Sequence, residues 1–206
     1  MSPRPYQSPR RAAAATETRA RVLAAAVAIL GAPESVDGFS LEDVARKAGV
    51  TRLTVYNQFG SRRALLEAVF DERAARGGLH RLADAMAEPD PQAGLLRIIA
   101  IFCDFWNYDP HALRRLHAAS ASDPEFDASI RERNERRRSL LSALVGRMPA
   151  DASPSRDNAR DLVDVLFALT SYPFFLQLTA GRRSADAACR LIQELALQAV
   201  RRTMRS

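Results

Sequence analysis

The stretch "GVTRLTVYNQFGSRRALL", residues 49–66, decides the fold of this chain. Its two glycines, Gly49 and Gly60, are each followed closely by a hydroxyl residue, Thr51 and Ser61. Glycine ends helices because it adopts the left-handed conformation without strain, whereas threonine and serine begin helices by accepting backbone N–H bonds. We therefore predict one short helix between Thr51 and Gly60 and another that begins at Ser61.

A further helix precedes this stretch and begins at Ser40. Asp43 stands three residues later, which is the spacing of a capping box with aspartate in place of glutamate. We expect Gly49 to end this helix. Its short apolar face consists of Leu41, Val44, Ala45 and Ala48.

The short helix after Thr51 has an inner and an outer face. We expect Val55, Phe59 and the ring of Tyr56 to pack inward. The outward positions are largely polar: Arg52, Leu53, Thr54, Asn57 and Gln58. Two short helices joined by a glycine-containing turn are typical of a helix-turn-helix. The next helix continues through Leu65, Leu66, Val69 and Phe70.

The segment upstream of these helices starts without periodic apolar residues. Residues 1–15 contain three prolines and three arginines, which predicts a flexible arm. Thr16 or Thr18 is then expected to cap a helix. The apolar stripe of that helix is Val22, Ala26, Ile29 and Leu30.

Composition indicates a helical globular protein. Hydrophobic residues make up 47% of the chain and charged residues 26%, and Ala, Leu, Arg and Glu outnumber β-branched residues. No apolar run approaches the roughly 20 residues of a membrane-spanning helix, and no apolar signal segment follows the N-terminal arginines. We therefore expect a cytoplasmic protein.

Positive charge is concentrated in the first third of the chain. Residues 1–66 contain 10 basic and 5 acidic side chains, whereas residues 67–206 contain 20 and 19. A basic segment beside a nearly neutral remainder suggests that the first third faces a polyanion.

The two cysteines, Cys103 and Cys189, are far apart in sequence and lack the spacing of metal ligands. Both fall within apolar helical patterns, so we interpret them as small buried hydrophobes in a reducing compartment. A redox-active pair is the alternative.

Residues 77–206 have the pattern of a second all-helical unit. The segment from Gly94 to Tyr108 is apolar on nearly every face and predicts a central buried helix. Aspartate–proline pairs at 109–110 and 123–124 predict helix starts. A further apolar helix runs from Arg156 to about Thr179 and is broken or kinked at Pro173, and Ser184 caps the last helix.

Residues 39–66 resemble the DNA-binding signature of the TetR/AcrR family of bacterial transcriptional regulators. The matching positions are Phe39, Ser40, Val44, Ala45, Ala48, Gly49, Val50, Thr51, Tyr56, Phe59, Arg62 and Leu65. The resemblance implies an all-α protein with an N-terminal helix-turn-helix domain over residues 16–66, whose last helix continues to about residue 76. Residues 77–206 would form a helical ligand-binding and dimerisation domain. The basic residue at 62 is commonly lysine in the family, and here it is arginine.

The residue types suit contact with a double-stranded DNA operator. Arg52 can form a bidentate bond with guanine, and Leu53 and Thr54 can touch thymine methyl groups. Asn57 and Gln58 could read adenine or bind phosphate, and the resemblance implies that Tyr56 donates to a phosphate. Candidate phosphate anchors are Ser40, Arg46, Lys47, Thr51 and Arg62, with arm arginines Arg4, Arg10 and Arg11 as additional contacts.

The resemblance also implies a homodimer formed through the two C-terminal helices and a cavity for a small-molecule effector. Candidate ligand-binding residues are Phe102, Phe105, Trp106, Asn107, His117, Asn134, Tyr172 and Phe175. Aromatic residues at helical spacing are also the usual contents of a core, so each has both interpretations. A hydrophobic or aromatic effector is the expectation, and no cofactor or metal is expected.

The sequence also bears on two other functional classes. An enzyme is not expected because phosphate-binding glycine loops, zinc motifs and nucleophile elbows are absent from the sequence. An architectural or division-linked DNA-binding protein would retain the helix-turn-helix and lack the ligand. The sequence therefore predicts a DNA-binding regulator, most simply a repressor, although activation remains open.

Overall fold

A computed structural model describes residues 9–32, 39–148 and 156–203, and all regular secondary structure within them is helical. This confirms the all-α prediction. The helices are α1 (Pro9–Gly31), α2 (Leu41–Ala48), α3 (Arg52–Phe59), α4 (Arg62–Arg76), α5 (Leu82–Ala87), α6 (Pro91–Tyr108), α7 (Pro110–Ser122), α8 (Pro124–Val145), α9 (Arg156–Leu169), α10 (Tyr172–Thr179) and α11 (Ala185–Thr203). A single 3-10 turn, Leu79–Arg81, precedes α5.

The chain divides into two compact units. The first unit is Met1–Glu72 with His111–Phe126, and the second unit is Arg73–Pro110 with Asp127–Ser206. Residues 111–126 follow α6 in the chain and are grouped with the first unit by their contacts. Within that unit, Arg115 of α7 donates from Nη1 to the carbonyls of Ile29 and Leu30 at 2.6 and 3.1 Å. These carbonyls end α1, where a cation is favoured.

Helix α1 begins earlier than the sequence pattern suggested. It starts at Pro9, so the prediction of a flexible arm through residue 15 is wrong for residues 9–15, and residues 1–8, with Arg4, lie outside the described residues. Proline is favoured at the first helical position, and the alanine run 12–15 has the highest helix propensity. Thr16 is therefore inside the helix, where its hydroxyl donates to the carbonyl of Ala12 at 3.0 Å.

Helix α6 forms the centre of the second unit, as its apolar pattern predicts. Asp90 caps it by accepting from the N–H groups of Gln92 and Ala93, at 3.0 and 3.2 Å. Leu95, Ile98 and Ile99 are fully buried, and so is almost every apolar residue as far as Trp106.

The predicted break near Pro173 is confirmed and separates α9 from α10. Ser171 caps α10 by accepting from the Phe174 N–H group, and the two helix axes differ by 51°. Within the described ranges, no single helix is long and apolar enough to cross a membrane. The bent pair α9–α10 meets that criterion of length and composition only when both helices are taken together.

The two cysteines are neighbours in the second unit. Cys103 of α6 is buried, whereas Cys189 of α11 is only half-buried, which corrects the expectation that both are buried. The thiol of Cys103 interacts with that of Cys189. This interaction and burial raise the pKa of Cys103, whereas the same interaction lowers the pKa of Cys189.

We expect iodoacetamide to alkylate Cys189 at least about tenfold faster than Cys103, because the thiolate is the reactive form. Mass spectrometry of tryptic peptides over a time course measures both rates. In the Cys189→Ser variant, only slow alkylation of Cys103 should remain. Faster modification of Cys103 would contradict the directions of these two pKa shifts.

Candidate DNA-binding surface and effector cluster

Helix α2 begins as the sequence predicts. The Ser40 hydroxyl accepts from the Asp43 N–H group at 3.1 Å and donates to the Asp43 carboxylate at 2.5 Å. That carboxylate also accepts from Arg46 of the next turn. Ser40 and Arg46 are two of the candidate phosphate anchors, and in this structure both side chains already contact Asp43 of α2.

A left-handed glycine joins α2 to α3. Gly49 has φ 65° and ψ 38°, and its N–H group donates toward the carbonyls of Ala45 and Arg46. Thr51 then caps α3 by accepting from the Thr54 N–H group at 3.1 Å, and the hydroxyl oxygens of these two threonines are 2.9 Å apart. Gly60 ends α3, and Ser61 accepts from the Ala64 N–H group at 3.0 Å to begin α4. The predicted helix-turn-helix is thus confirmed.

The inner face of α3 is held by apolar packing. Val55 is fully buried and Phe59 is 8% exposed. They lie one helical turn apart and therefore share one face of the helix. The same core buries Val44 and Ala45 of α2, which fixes the two helices as one body.

An arginine of α1 holds the end of α3, and sequence reasoning missed it. Arg19 donates from Nη1 to the carbonyl of Gln58, and its guanidinium lies 4.0 Å from the centroid of the Phe59 ring. A cation at a helix C-terminus and over an aromatic face is favourable in both contacts. The sequence did offer a signal for this role: Arg19 stands three residues before buried Val22, so the two side chains are neighbours on α1.

The outer face of α3 is exposed, as predicted, and contains two large apolar side chains. Leu53 is 66% exposed and Tyr56 is 57% exposed. The expectation that the Tyr56 ring packs inward is therefore wrong, because Tyr56 is one residue, or about 100°, away from buried Val55. Arg52 and Asn57 are exposed beside them, while Thr54 and Gln58 are half-buried.

Arg62 has a different environment from Lys47. Lys47 is exposed at the end of α2. Arg62 donates from Nε to the carbonyl of Phe39 at 3.1 Å and from Nη1 to the Asp123 carboxylate at 3.4 Å. It thereby connects the starts of α2, α4 and α8 within the first unit.

Four of the candidate ligand-binding aromatics form one cluster in the second unit. The Trp106 ring lies 4.5 Å from Phe105, 6.1 Å from Phe102 and 5.4 Å from Tyr172, measured between ring centroids. All four are buried, and the Trp106 Nε1–H group donates to the carbonyl of Thr170 at 3.1 Å.

The other ligand candidates are placed differently. Phe175 is buried on α10, whereas Asn107 is exposed at the end of α6. His117 is half-buried on α7 and belongs to the first unit. Asn134 is half-buried on α8, where its side-chain oxygen accepts from Arg137.

Comparisons with known proteins agree with this geometry. The family model of the tetR family of bacterial regulatory proteins matches residues 22–69, which run from the second half of α1 to the middle of α4. The HTH-type transcriptional regulator EthR of Mycolicibacterium smegmatis is 31% identical over 172 residues, covering 82% of this chain and 76% of that protein. The chain belongs to the TetR family of bacterial transcriptional regulators. Like the other members, this TetR-family regulator is a DNA-binding protein, and the family consists of regulators rather than enzymes.

Solved structures show the same fold over most of this TetR-family chain. The multidrug binding protein EbrR complexed with imidazole superposes with a TM-score of 0.63, at 21% identity over 97% of both chains. A TetR transcription regulator from Haloarcula marismortui superposes with a TM-score of 0.65, at 15% identity over 91% of this chain and 98% of that one. Regulators of this family bind DNA operators and small-molecule effectors, typically as dimers.

Proposed function

We propose that this protein is a ligand-responsive repressor that binds a pseudo-palindromic operator as a homodimer in the cytoplasm. The proposal is based on the outer face of α3. That face presents a cation, an amide and two exposed apolar side chains on a helix whose inner face and both ends are fixed by packing and capping. A helix of this length reaches few base pairs, so two copies on two half-sites supply the required affinity.

In this proposal the N-terminal end of α3 enters the major groove. Arg52 pairs with guanine, Leu53 and Thr54 contact thymine methyl groups, and Asn57 and Gln58 contact adenine or phosphate. Tyr56 donates to a phosphate from its exposed position. The remaining phosphate contacts come from the starts and ends of neighbouring helices: Ser40, Arg46, Lys47, Thr51 and Arg62, the last through its Nη2 group.

Selection of bound sequences from a random pool of DNA duplexes tests the proposed operator binding. The best sequence is then titrated with protein at two salt concentrations. We expect enrichment of an inverted repeat that binds two chains. If no sequence is enriched and binding simply disappears with salt, the protein is a nonspecific architectural binder instead.

For the effector response, the aromatic cluster around Trp106 supports a site for a small hydrophobic or aromatic molecule. Phe102, Phe105 and Tyr172 supply flat apolar surfaces, and Asn134 and Arg137 supply polar groups at the edge. A bound effector releases the operator only as far as it prefers one conformation over the other. Saturating effector should therefore weaken operator binding, and an effector that leaves operator affinity unchanged would contradict the mechanism.

For the dimer, the surface shared by α9 and α11 supports the proposal. In α11, Ala188, Ile192, Ala196 and Val200 are buried at intervals of four residues, and the adjacent row of Leu191, Leu195 and Ala199 is only half-buried. Beside that row, α9 and α11 enclose a groove of about 550 Å³ into which Val165 of α9 projects, 44% exposed. Asp161, Asp164 and Arg202 also line the groove, and a face that combines apolar side chains with charges of both signs suits a two-fold interface.

We expect Val165→Glu to convert the dimer to a monomer, weakening self-association by about 2 kcal/mol or more, because the interface would bury an unpaired carboxylate. Sedimentation velocity across a concentration series measures the change. Ala83→Glu, on the exposed side of α5, adds the same charge away from this surface and should remain dimeric. An unchanged dimer in Val165→Glu would place the interface elsewhere.

A further inference from the structure

Arg137 lies in the interior of the second unit, although the sequence around it, "RERNERRRS", is polar. It is only 6% exposed. Its Nη1 group donates to the carbonyl of Phe167 and to the hydroxyl of Thr170, both at 2.9 Å. Its Nη2 group donates to the Asn134 side-chain oxygen at 3.3 Å.

Aromatic rings enclose the same guanidinium. Its central carbon lies 4.2 Å from the centroid of the Phe167 ring and 5.8 Å from that of Phe102. Thr170 links the guanidinium to the cluster around Trp106, because its hydroxyl accepts from Arg137 and its carbonyl accepts from the Trp106 indole. The positive charge is therefore part of the aromatic cluster proposed for the effector.

Among the described residues, the groups that surround the charge of Arg137 are neutral: oxygen acceptors and the faces of aromatic rings. A carbonyl, a hydroxyl and an amide oxygen receive its hydrogen bonds, and the part of the chain that the structure describes provides no carboxylate within ion-pair distance. Burial, together with the neighbouring cation of Arg138, lowers the pKa of Arg137 to about 10. The side chain is still protonated at neutral pH, and buried charges in proteins are normally paired with an opposite charge.

We propose that the effector of this regulator is a small aromatic carboxylate and that Arg137 binds its carboxylate group. The inference rests on the proposed effector response and names the chemical class of that effector. A guanidinium has five N–H donors, and the three bonds above leave the Nε–H group and one Nη2–H group for a ligand. A carboxylate accepts from adjacent nitrogens of this kind, while its ring packs against Phe102 and Trp106.

A purely structural role for Arg137 makes a different prediction. Phe167 is in the last turn of α9, where a cation stabilises the free carbonyl groups. If that were its whole role, aromatic carboxylates and their neutral amides would bind equally well. The comparison between the two forms of one ligand therefore separates the interpretations.

The test uses the full-length protein and matched pairs of probes. Benzoate, phenylacetate and 2-naphthoate are compared with benzamide, phenylacetamide and 2-naphthamide by isothermal titration and by thermal shift. Operator release is recorded with the same probes. The variants are Arg137→Gln, Arg137→Lys and, as a control, Arg136→Gln, which removes an exposed arginine from the same helix.

We expect at least one carboxylate to bind the wild-type protein about tenfold or more tightly than its amide. Arg137→Gln should remove this difference, Arg137→Lys should retain part of it, and Arg136→Gln should leave it unchanged. If Arg137→Gln does not fold, the ratio of acid to amide affinity in the wild-type protein and in Arg137→Lys tests carboxylate recognition instead.

Two results would overturn the inference, and they differ in what they imply for the proposed function. Amides that bind as tightly as the acids and release the operator would exclude carboxylate recognition but retain the effector response. Absence of binding by acids and amides alike, with operator binding intact, would overturn the carboxylate inference and remove the support that the cluster gives to an effector site.

Discussion

Replacing Phe59 with alanine should lower the free energy of unfolding by about 3–5 kcal/mol and abolish specific operator binding, although Phe59 lies on the inner face of α3, away from the proposed DNA-binding surface. The ring is buried on the inner face of α3 and carries the guanidinium of Arg19 on its surface. Removal of the ring leaves a cavity and weakens the contact by which Arg19 holds the end of α3. Urea unfolding followed by circular dichroism measures the loss.

Leu53→Ala is the matched control for this prediction, because it truncates an apolar side chain of the same helix that is 66% exposed. We expect its stability to remain within about 0.5 kcal/mol of the wild type, while operator affinity falls. A large loss of stability in Leu53→Ala, or none in Phe59→Ala, would mean that the two faces of α3 have been assigned in reverse.

Arg52→Ala should lower affinity for the selected operator by about 1–3 kcal/mol and leave affinity for unrelated DNA almost unchanged. The side chain is exposed at the start of α3, where it can reach a base edge. Fluorescence anisotropy with the operator and with a scrambled duplex measures the ratio of the two affinities. This ratio, rather than the affinity itself, reports base recognition.

Lys47→Ala removes a positive charge from the neighbouring helix and is expected to act through phosphate. Affinity for both duplexes should fall by the same factor, and the slope of log affinity against log salt should decrease by about one. Equal loss of discrimination in Arg52→Ala and Lys47→Ala would contradict the assignment of base and phosphate contacts.

The helix-turn-helix was predictable because its signals are local. Three hydroxyl groups cap helices by accepting from the N–H group three residues later, namely those of Ser40, Thr51 and Ser61. Gly49 ends α2 through its own left-handed backbone. Each of these interactions depends on a few adjacent residues, so the local sequence is sufficient to predict it. The start of α1 was missed by the same reasoning, since the pattern of apolar residues outweighed the helix propensity of the alanine run.

Contacts between distant segments were not predictable in this way. Nothing near Arg115 in the sequence indicates that it donates to the end of α1, because the two residues that the bond joins are 86 positions apart. Arg137 was hidden by the charged residues around it. Its spacing was the available signal: it stands seven residues after Ile130 and four before Leu141, both buried, and therefore lies on the inner face of α8.

The separation of the two faces of α3 bears on how such regulators diversify. Residues 52, 53, 56 and 57 are exposed, whereas the fold depends on Val55, Phe59 and the capping residues. Substitutions at the four exposed positions can therefore accumulate during evolution, or be introduced by design, at little cost to folding. In the proposed mode of DNA binding, a gene duplicate acquires a new operator within a few mutations, and a library randomised only at these positions should yield mutually orthogonal regulators from this single scaffold.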